Sequence, residues 1–255
     1  MIQVKLDFEK WATSYAGMDG GNPRGPIWIC GIEPGAGDEE PGKFNLSPVN
    51  EMPYMTPDNL SWFPNTSFDI KAVKLYAALM SEEPKHYKEV ASRNRVFGHN
   101  SNSFKLNLYP IAFGHDDDED AWKEWQFKVT GFASKTMYRA WCQDHRFAKL
   151  TAMTRQFAPR LIIGAGRGRH LRDFIMAFNG VDALFRSLEN MTEERIQNKL
   201  LNRCLINDGK TLLVVVPFLG GPHGLSSDDL LSAFGARIRA HCESTFGTSW
   251  ALAMP

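Results

Sequence analysis

Three short stretches of this sequence put chemically capable residues directly after apolar runs. The first is Gly31-Ile32-Glu33-Pro34-Gly35, which closes the run IWICG at 27–31. A carboxylate held by a stiff Pro-Gly turn is able to orient or deprotonate a water. The second is Asn107, in Leu106-Asn107-Leu108-Tyr109-Pro110. Its amide offers one acceptor and two donors on a short arm, which suits reading the edge of a nucleobase. The third is PFLGGPHGLSS at 217–227. Gly220, Gly221 and Gly224 free the backbone, His223 supplies a proton donor, and Leu225 is an apolar tip. Ser226, Ser227 and the loop amides suit phosphate oxygens. Each stretch also has a plainer reading: a surface-turn glutamate, a turn asparagine satisfied by backbone, and a loop ending in a serine cap for the last helix.

The elements that must position these residues follow from periodicity. Phe8, Trp11, Ala12 and Tyr15 share one helical face, and the glycine-rich stretch 17–25 ends that helix. Residues 27–31 read as a buried strand. From 32 to 65 there is no periodicity, and a loop that long is expected to be a lid or a binding loop. Asp69 stands as N-cap to a helix over 70–80. Residues 105–108 read as a second strand, 135–157 as a helical segment and 160–164 as a third strand. That strand leads into a helix over 170–178. Residues 192–201 look helical. Residues 202–206 and 211–216 flank Asn207-Asp208-Gly209-Lys210, a strong hairpin signal. A last helix covers 228–246. The expected fold is one α/β domain over 1–255. It has a central, mostly parallel four-stranded sheet, helices on both faces and a C-terminal hairpin. In such sheets, ligands gather outside the carboxyl ends of the strands, where the three stretches fall.

Bulk composition narrows the function. Of 255 residues, 43% are hydrophobic, enough for a sizeable core. Lys plus Arg and Asp plus Glu are 29 each, so any polyanion must be held by a local patch. Arg167, Arg169, His170 and Arg172 are the candidate patch. Cys30, Cys142, Cys204 and Cys242 form no CxxC and are expected as free buried thiols in a reducing compartment. The N-terminus lacks a signal-peptide core, and the apolar run 212–219 is too short to cross a membrane. The expectation is a cytoplasmic monomer. His115 with the acidic run to Asp120 is expected as a solvated loop, and Trp122, Trp125 and Trp141 as core.

Taken together, the stretches resemble the uracil-DNA glycosylase superfamily. Gly31-Ile32-Glu33-Pro34-Gly35 is similar to its first active-site motif, in the GINPG form of the mismatch-specific branch. Gly221-Pro222-His223-Gly224-Leu225-Ser226 is similar to its last motif, NPSGLS or HPSPLS. Asn107 to Phe113 (NLYPIAF) resembles the NxCPLxF segment of the single-strand-selective monofunctional branch. RLIIGAGRGRHLR, 160–172, resembles the strand and helix before the last motif. The likeness runs from Ile27 onward, with the motifs in the family's order.

The resemblance implies an enzyme that flips a nucleotide from DNA and cleaves its glycosidic bond. Asn107 would read the flipped pyrimidine, within a pocket made with Gly31, Ile32, Pro34 and Gly35. Glu33 would orient water or stabilise the cationic sugar. Phe68, or its rival Phe63, would stack on the base. Leu225 would wedge into the duplex. Ser226 would hold a flanking phosphate, with Gly221, Pro222, Gly224, Ser227, Arg167 and Arg169 along the DNA. The family's catalytic His or Asn aligns with Gly221, so His223 must face the leaving base from two places later, or that stabilisation is missing. Glu33 is one methylene longer than the usual Asp. The iron–sulfur branch needs four suitably spaced cysteines, which this chain lacks, so neither metal nor organic cofactor is expected.

No lysine lies in the three motifs to form a Schiff base, so base excision without strand cleavage is expected. The substrate that the resemblance implies is a uracil-like or C5-modified pyrimidine, with a bulky C5 substituent expected and plain uracil expected to be a poor substrate. The long loop carrying Tyr54, Trp62 and Phe63 is expected to leave room at the C5 edge, for repair of damage or for defence against modified viral DNA. Two other readings stay open. One is a catalytically inactive nucleic-acid binder that keeps the fold, which Gly221 favours. The other is a nucleotide- or dinucleotide-binding enzyme using Gly164-Ala165-Gly166-Arg167-Gly168.

Overall fold

Short apolar runs build the centre of the sheet, and alternation along them divides the core in two. The computed structural model describes residues 4–34, 45–51, 67–113, 122–221 and 223–252. The strands are β1 (Met18–Gly21), β2 (Ile27–Gly31), β3 (Ser103–Asn107), β4 (Leu161–Ala165), β5 (Thr192–Ile196), β6 (Lys199–Ile206) and β7 (Thr211–Val216). Among the described residues they form one sheet in the order β1-β3-β2-β4-β7-β6-β5. Strands β3, β2, β4 and β7 run parallel. β1 lies antiparallel on β3, and β6 and β5 continue antiparallel beyond β7. The fold is therefore α/β with a mixed sheet, wider than the four strands and hairpin expected.

The helices are α1 (Leu6–Ala12), α2 (Ser67–Leu79), α3 (Tyr87–Asn94), α4 (Glu124–Thr130), α5 (Lys135–Asp144), α6 (Arg146–Phe157), α7 (Leu171–Asn179), α8 (Leu184–Glu189) and α9 (Asp228–Phe246). One core cluster joins Trp28, Cys30, Phe104 and Leu106 of the sheet to α1, α5, α6 and α7. The other joins Ile27, Ile29, Ile163 and Val214 to α2, α3 and α9. Successive strand residues thus serve opposite layers, as a period of two requires. The four cysteines are free and buried. No helix among the described residues is long and apolar enough to cross a membrane.

Several expectations need correction. Residues 192–201 are not helical: they form β5 and the start of β6, with Thr192 opposite Arg203 and Ile196 opposite Lys199. Their helix-forming side chains are overridden by strand pairing beside β7. The charged side chains of Glu193, Glu194 and Arg195 suit a sheet edge. The glycine-rich stretch after α1 contains β1. The segment 135–157 is two helices broken at His145. Asp69 lies inside the first turn of α2, not at its cap. Ser227 does cap α9, its hydroxyl accepting from the Leu230 amide at 3.2 Å. At the β6–β7 turn Asn207 and Asp208 take φ of 52° and 54°, the left-handed region that an Asn-Asp-Gly sequence tolerates.

Candidate functional site

The parallel strands end along one edge, where β2 and β3 bring Gly31 opposite Asn107. A Cβ at Gly31 would sit 2.5 Å from Asn107 Oδ1 and 3.3 Å from Phe68 Cζ. Only glycine admits that approach, so the sequence Gly31…Phe68…Asn107 encodes a contact among three elements. Beyond the strands the pairing continues, Leu108 N donating to Gly31 O and Tyr109 N to Ile32 O. Arg146 fixes this edge from beneath. It is fully buried and donates to the carbonyls of Leu108 at 2.7 Å, Ala12 at 2.7 Å and Asn107 at 3.2 Å. Burial lowers its pKa from the ordinary arginine value.

The Asn107 side chain is itself held. Its Nδ2 donates to Gly17 O at 3.1 Å and to Asp19 Oδ2 at 2.8 Å. Asp19 also pairs with Lys105 at 2.9 Å, and Lys105 reaches Asp69 at 2.6 Å. The ammonium lies 5.5 Å from the centre of the Phe68 ring. Burial alone would lower the Lys105 pKa, but Asp19 and Asp69 outweigh it and raise the value, which keeps the ammonium protonated. Sequence reasoning missed this cluster. The available signal was a lysine inside the otherwise buried strand SFKLN, which demands a carboxylate partner.

Glu33 turns the other way, toward α5. Its carboxylate accepts from Lys135 Nζ at 3.3 Å and Arg139 Nη2 at 3.3 Å, and its side chain is 6% exposed. Lys135 lies 3.9 Å over the Phe113 ring and Arg139 5.3 Å over that of Tyr109. Glu33 is thus fixed rather than mobile. No hydrogen bond among the described residues joins it to Asn107. Nearby, Tyr109 and Gln143 donate to Asp173, which also meets His170 Nδ1 at 2.8 Å. His170 is buried, so that member of the expected phosphate patch is turned inward; Arg169, whose Nε donates to His170 Nε2 at 3.2 Å, is exposed, as is Arg172.

The loop after β7 is the exposed half of the edge. Leu225 is fully buried in the α2–α9 core. Its amide donates to Phe218 O at 2.9 Å. This overturns its expected place as an exposed wedge in this conformation: the loop folds its apolar tip inward. The fold also requires glycine at 224, where a Cβ would lie 2.0 Å from Phe218 O. Phe218 is the loop's exposed apolar side chain, at 43%. Its ring lies 5.8 Å from that of Phe68, tilted by 41°. Ser226 is exposed, and its carbonyl accepts from Lys71 at 2.9 Å.

Beside Phe218 opens a cavity of about 480 Å³, with Arg167, Arg195, Lys199, His223 and Gly221 in its wall. The β5–β6 hairpin supplies two of its cations, which the helical reading of that segment had hidden. Arg167 is anchored to Asn202 at 2.6 Å and Glu193 at 2.5 Å, and Lys199 donates to His223 O at 2.8 Å. Arg195 is exposed, with no ion pair among the described residues. Phe68 touches the Gly31–Asn107 pair on one side and Phe218 on the other. The niche and the basic cavity therefore share an aromatic seam.

Ile32 is buried and Pro34 partly buried beside the niche. Gly35, Phe63 and Pro222 lie outside the described residues, as do Tyr54, Trp62 and the acidic run 115–120. The glycine stretch after β4 offers no amide cradle for a phosphate at its start: the Gly166 and Arg167 amides both donate to Val216 O, at 3.0 and 2.9 Å. Compared with known proteins, the chain matches no family model, and no curated protein matches it at a significant level.

Proposed function

We propose that this chain is a monofunctional DNA glycosylase of the uracil-DNA glycosylase type, which flips out a pyrimidine and leaves an abasic site. The observation that carries the reading is the contact of Gly31, Asn107 and Phe68 at the carboxyl edge of the sheet. It unites three residues singled out separately for binding a flipped base. The setting supports it, with four parallel central strands between helical layers. A basic cavity at the loop that resembles the family's last motif lies one aromatic pair away, where a DNA backbone would need it.

In this reading Asn107 meets the base edge and Phe68 stacks on its face. Glu33 is a fixed acceptor for water, held by Lys135 and Arg139. Phe218 takes the place given to Leu225 as the side chain able to enter the duplex. Arg195, Lys199 and His223 face the phosphates. The absence of strand cleavage needs a new reason, because Lys105 does stand beside Asn107. Its ammonium is bound by two carboxylates and kept protonated, and a protonated amine is no nucleophile.

The test uses oligonucleotides carrying uracil or C5-substituted pyrimidines. Abasic product that is cut only after hot alkali supports the reading, and nicking by the pure protein overturns the monofunctional assignment. Fast excision of uracil with none of the bulky bases would remove the C5-modified class. A second reading, a non-catalytic binder, is favoured by the missing imidazole at Gly221 and by the pairing of Glu33 with two cations. Salt-sensitive DNA binding with no abasic product selects it.

A further inference from the structure

The polar edge of the niche is able to accept hydrogen bonds and has no donor left on its amide. The Asn107 amide has one orientation open to it. Its partners Gly17 O and the Asp19 carboxylate are acceptors only, so the nitrogen faces them and both N–H groups are used. What remains is Oδ1, beside Gly31 and Phe68, on which no hydrogen bond falls among the described residues. Asp19 repeats the pattern. Its Oδ2 receives Asn107 and Lys105, its side chain is 28% exposed, and its Oδ1 receives nothing from the described residues. Lys105 spends its charge on Asp19 and Asp69.

Such an edge discriminates between bases. A uracil-type base presents one N–H flanked by two carbonyl oxygens, so satisfying one acceptor sets an oxygen against the next. A cytosine-type base presents an exocyclic amine with two N–H groups for two neighbouring acceptors. We propose that the base taken by this site is an amine-bearing pyrimidine of the cytosine class. This rests on the glycosylase reading for the reaction, but the hydrogen-bonding argument stands on the cluster alone.

The experiment compares two bases that differ only in this edge. Oligonucleotides of one sequence carry 5-hydroxymethylcytosine or 5-hydroxymethyluracil, and single-turnover excision is measured. In parallel, 2′-fluoroarabino versions of the same nucleotides, which resist glycosidic cleavage, are used to measure Kd. The expected result is excision and binding favouring the amine base by about tenfold to a hundredfold. Equal handling, or preference for the dicarbonyl base, overturns the proposal and leaves the glycosylase reading intact. If neither base is excised but the amine analogue binds more tightly, the proposal holds and the glycosylase reading fails. If neither is excised and binding is equal, both fail. Asp19→Asn is the second arm. The new amide keeps an oxygen for Asn107 and Lys105 and turns an N–H group outward, so the preference should shrink toward unity in excision and Kd alike. An unchanged preference in a variant with unchanged urea midpoint counts against the acceptor edge. If the variant does not fold, the wild-type pair of substrates still decides.

Discussion

Around Asn107 the donors are committed to other parts of the protein, the amide N–H groups to Gly17 and Asp19 and the ammonium to two carboxylates, and the strand-end carbonyls are taken by Arg146, which leaves only acceptor oxygens open among the described residues. Around Phe218 the arrangement is the reverse. An aromatic ring is 43% exposed, Arg195 is exposed, and a hairpin and a glycine-rich loop enclose open volume. The first region is preorganised and intolerant of change, which suits discrimination between similar ligands. The second contributes charge and surface at little cost to stability, which suits binding a polyanion. Variants in the first should lose stability and specificity together, and those in the second should lose affinity alone.

The largest effect should come from Arg146→Leu. Three carbonyls lose a charged donor in a dry site, and the expected loss is about 4 kcal/mol of unfolding free energy, read from urea denaturation. Retention of wild-type stability would refute the view that Arg146 fixes the edge. Next comes a pair of apolar residues in one loop. Leu225→Ala should open a core cavity and cost about 3 kcal/mol. Phe218→Ala should cost less than about 1 kcal/mol yet weaken duplex binding more than single-strand binding. A Leu225→Ala protein of native stability with a duplex-specific defect would restore Leu225 as the wedge.

Asn107→Ala should lower stability by about 2 kcal/mol, because Gly17 O and Asp19 each lose a donor. Excision should fall on the order of a hundredfold or more. Unchanged excision would end its role in reading the base. The smallest stability effect belongs to Arg195→Ala, within about 0.5 kcal/mol of wild type. Its signature is in DNA binding, where the slope of log K against log salt should fall by about one unit. A loss of affinity with an unchanged slope would move Arg195 away from the phosphates.

The sequence by itself determined the elements whose signals are local. The run IWICG is β2, the Asn-Asp-Gly turn joins β6 to β7, and Ser227 caps α9. These are read from side-chain period, turn chemistry and capping, which need no distant partner. It also marked Gly31 and Asn107 as special, since polar and glycine residues at buried strand ends call for a reason. What the tertiary structure decided depends on pairing between remote segments. Thr192–Ile196 carries helix-forming residues and becomes a strand only because Lys199–Ile206 lies beside it, and the cavity's Arg195 and Lys199 come with that choice. Leu225 looks like an exposed tip in the linear loop, and the α2–α9 layer draws it inward. Asp19 and Lys105 are 86 positions apart by residue number, and only the antiparallel docking of β1 on β3 turns them into one cluster with Asn107. A charge in a buried strand announces that it needs a partner, and only the fold says which one.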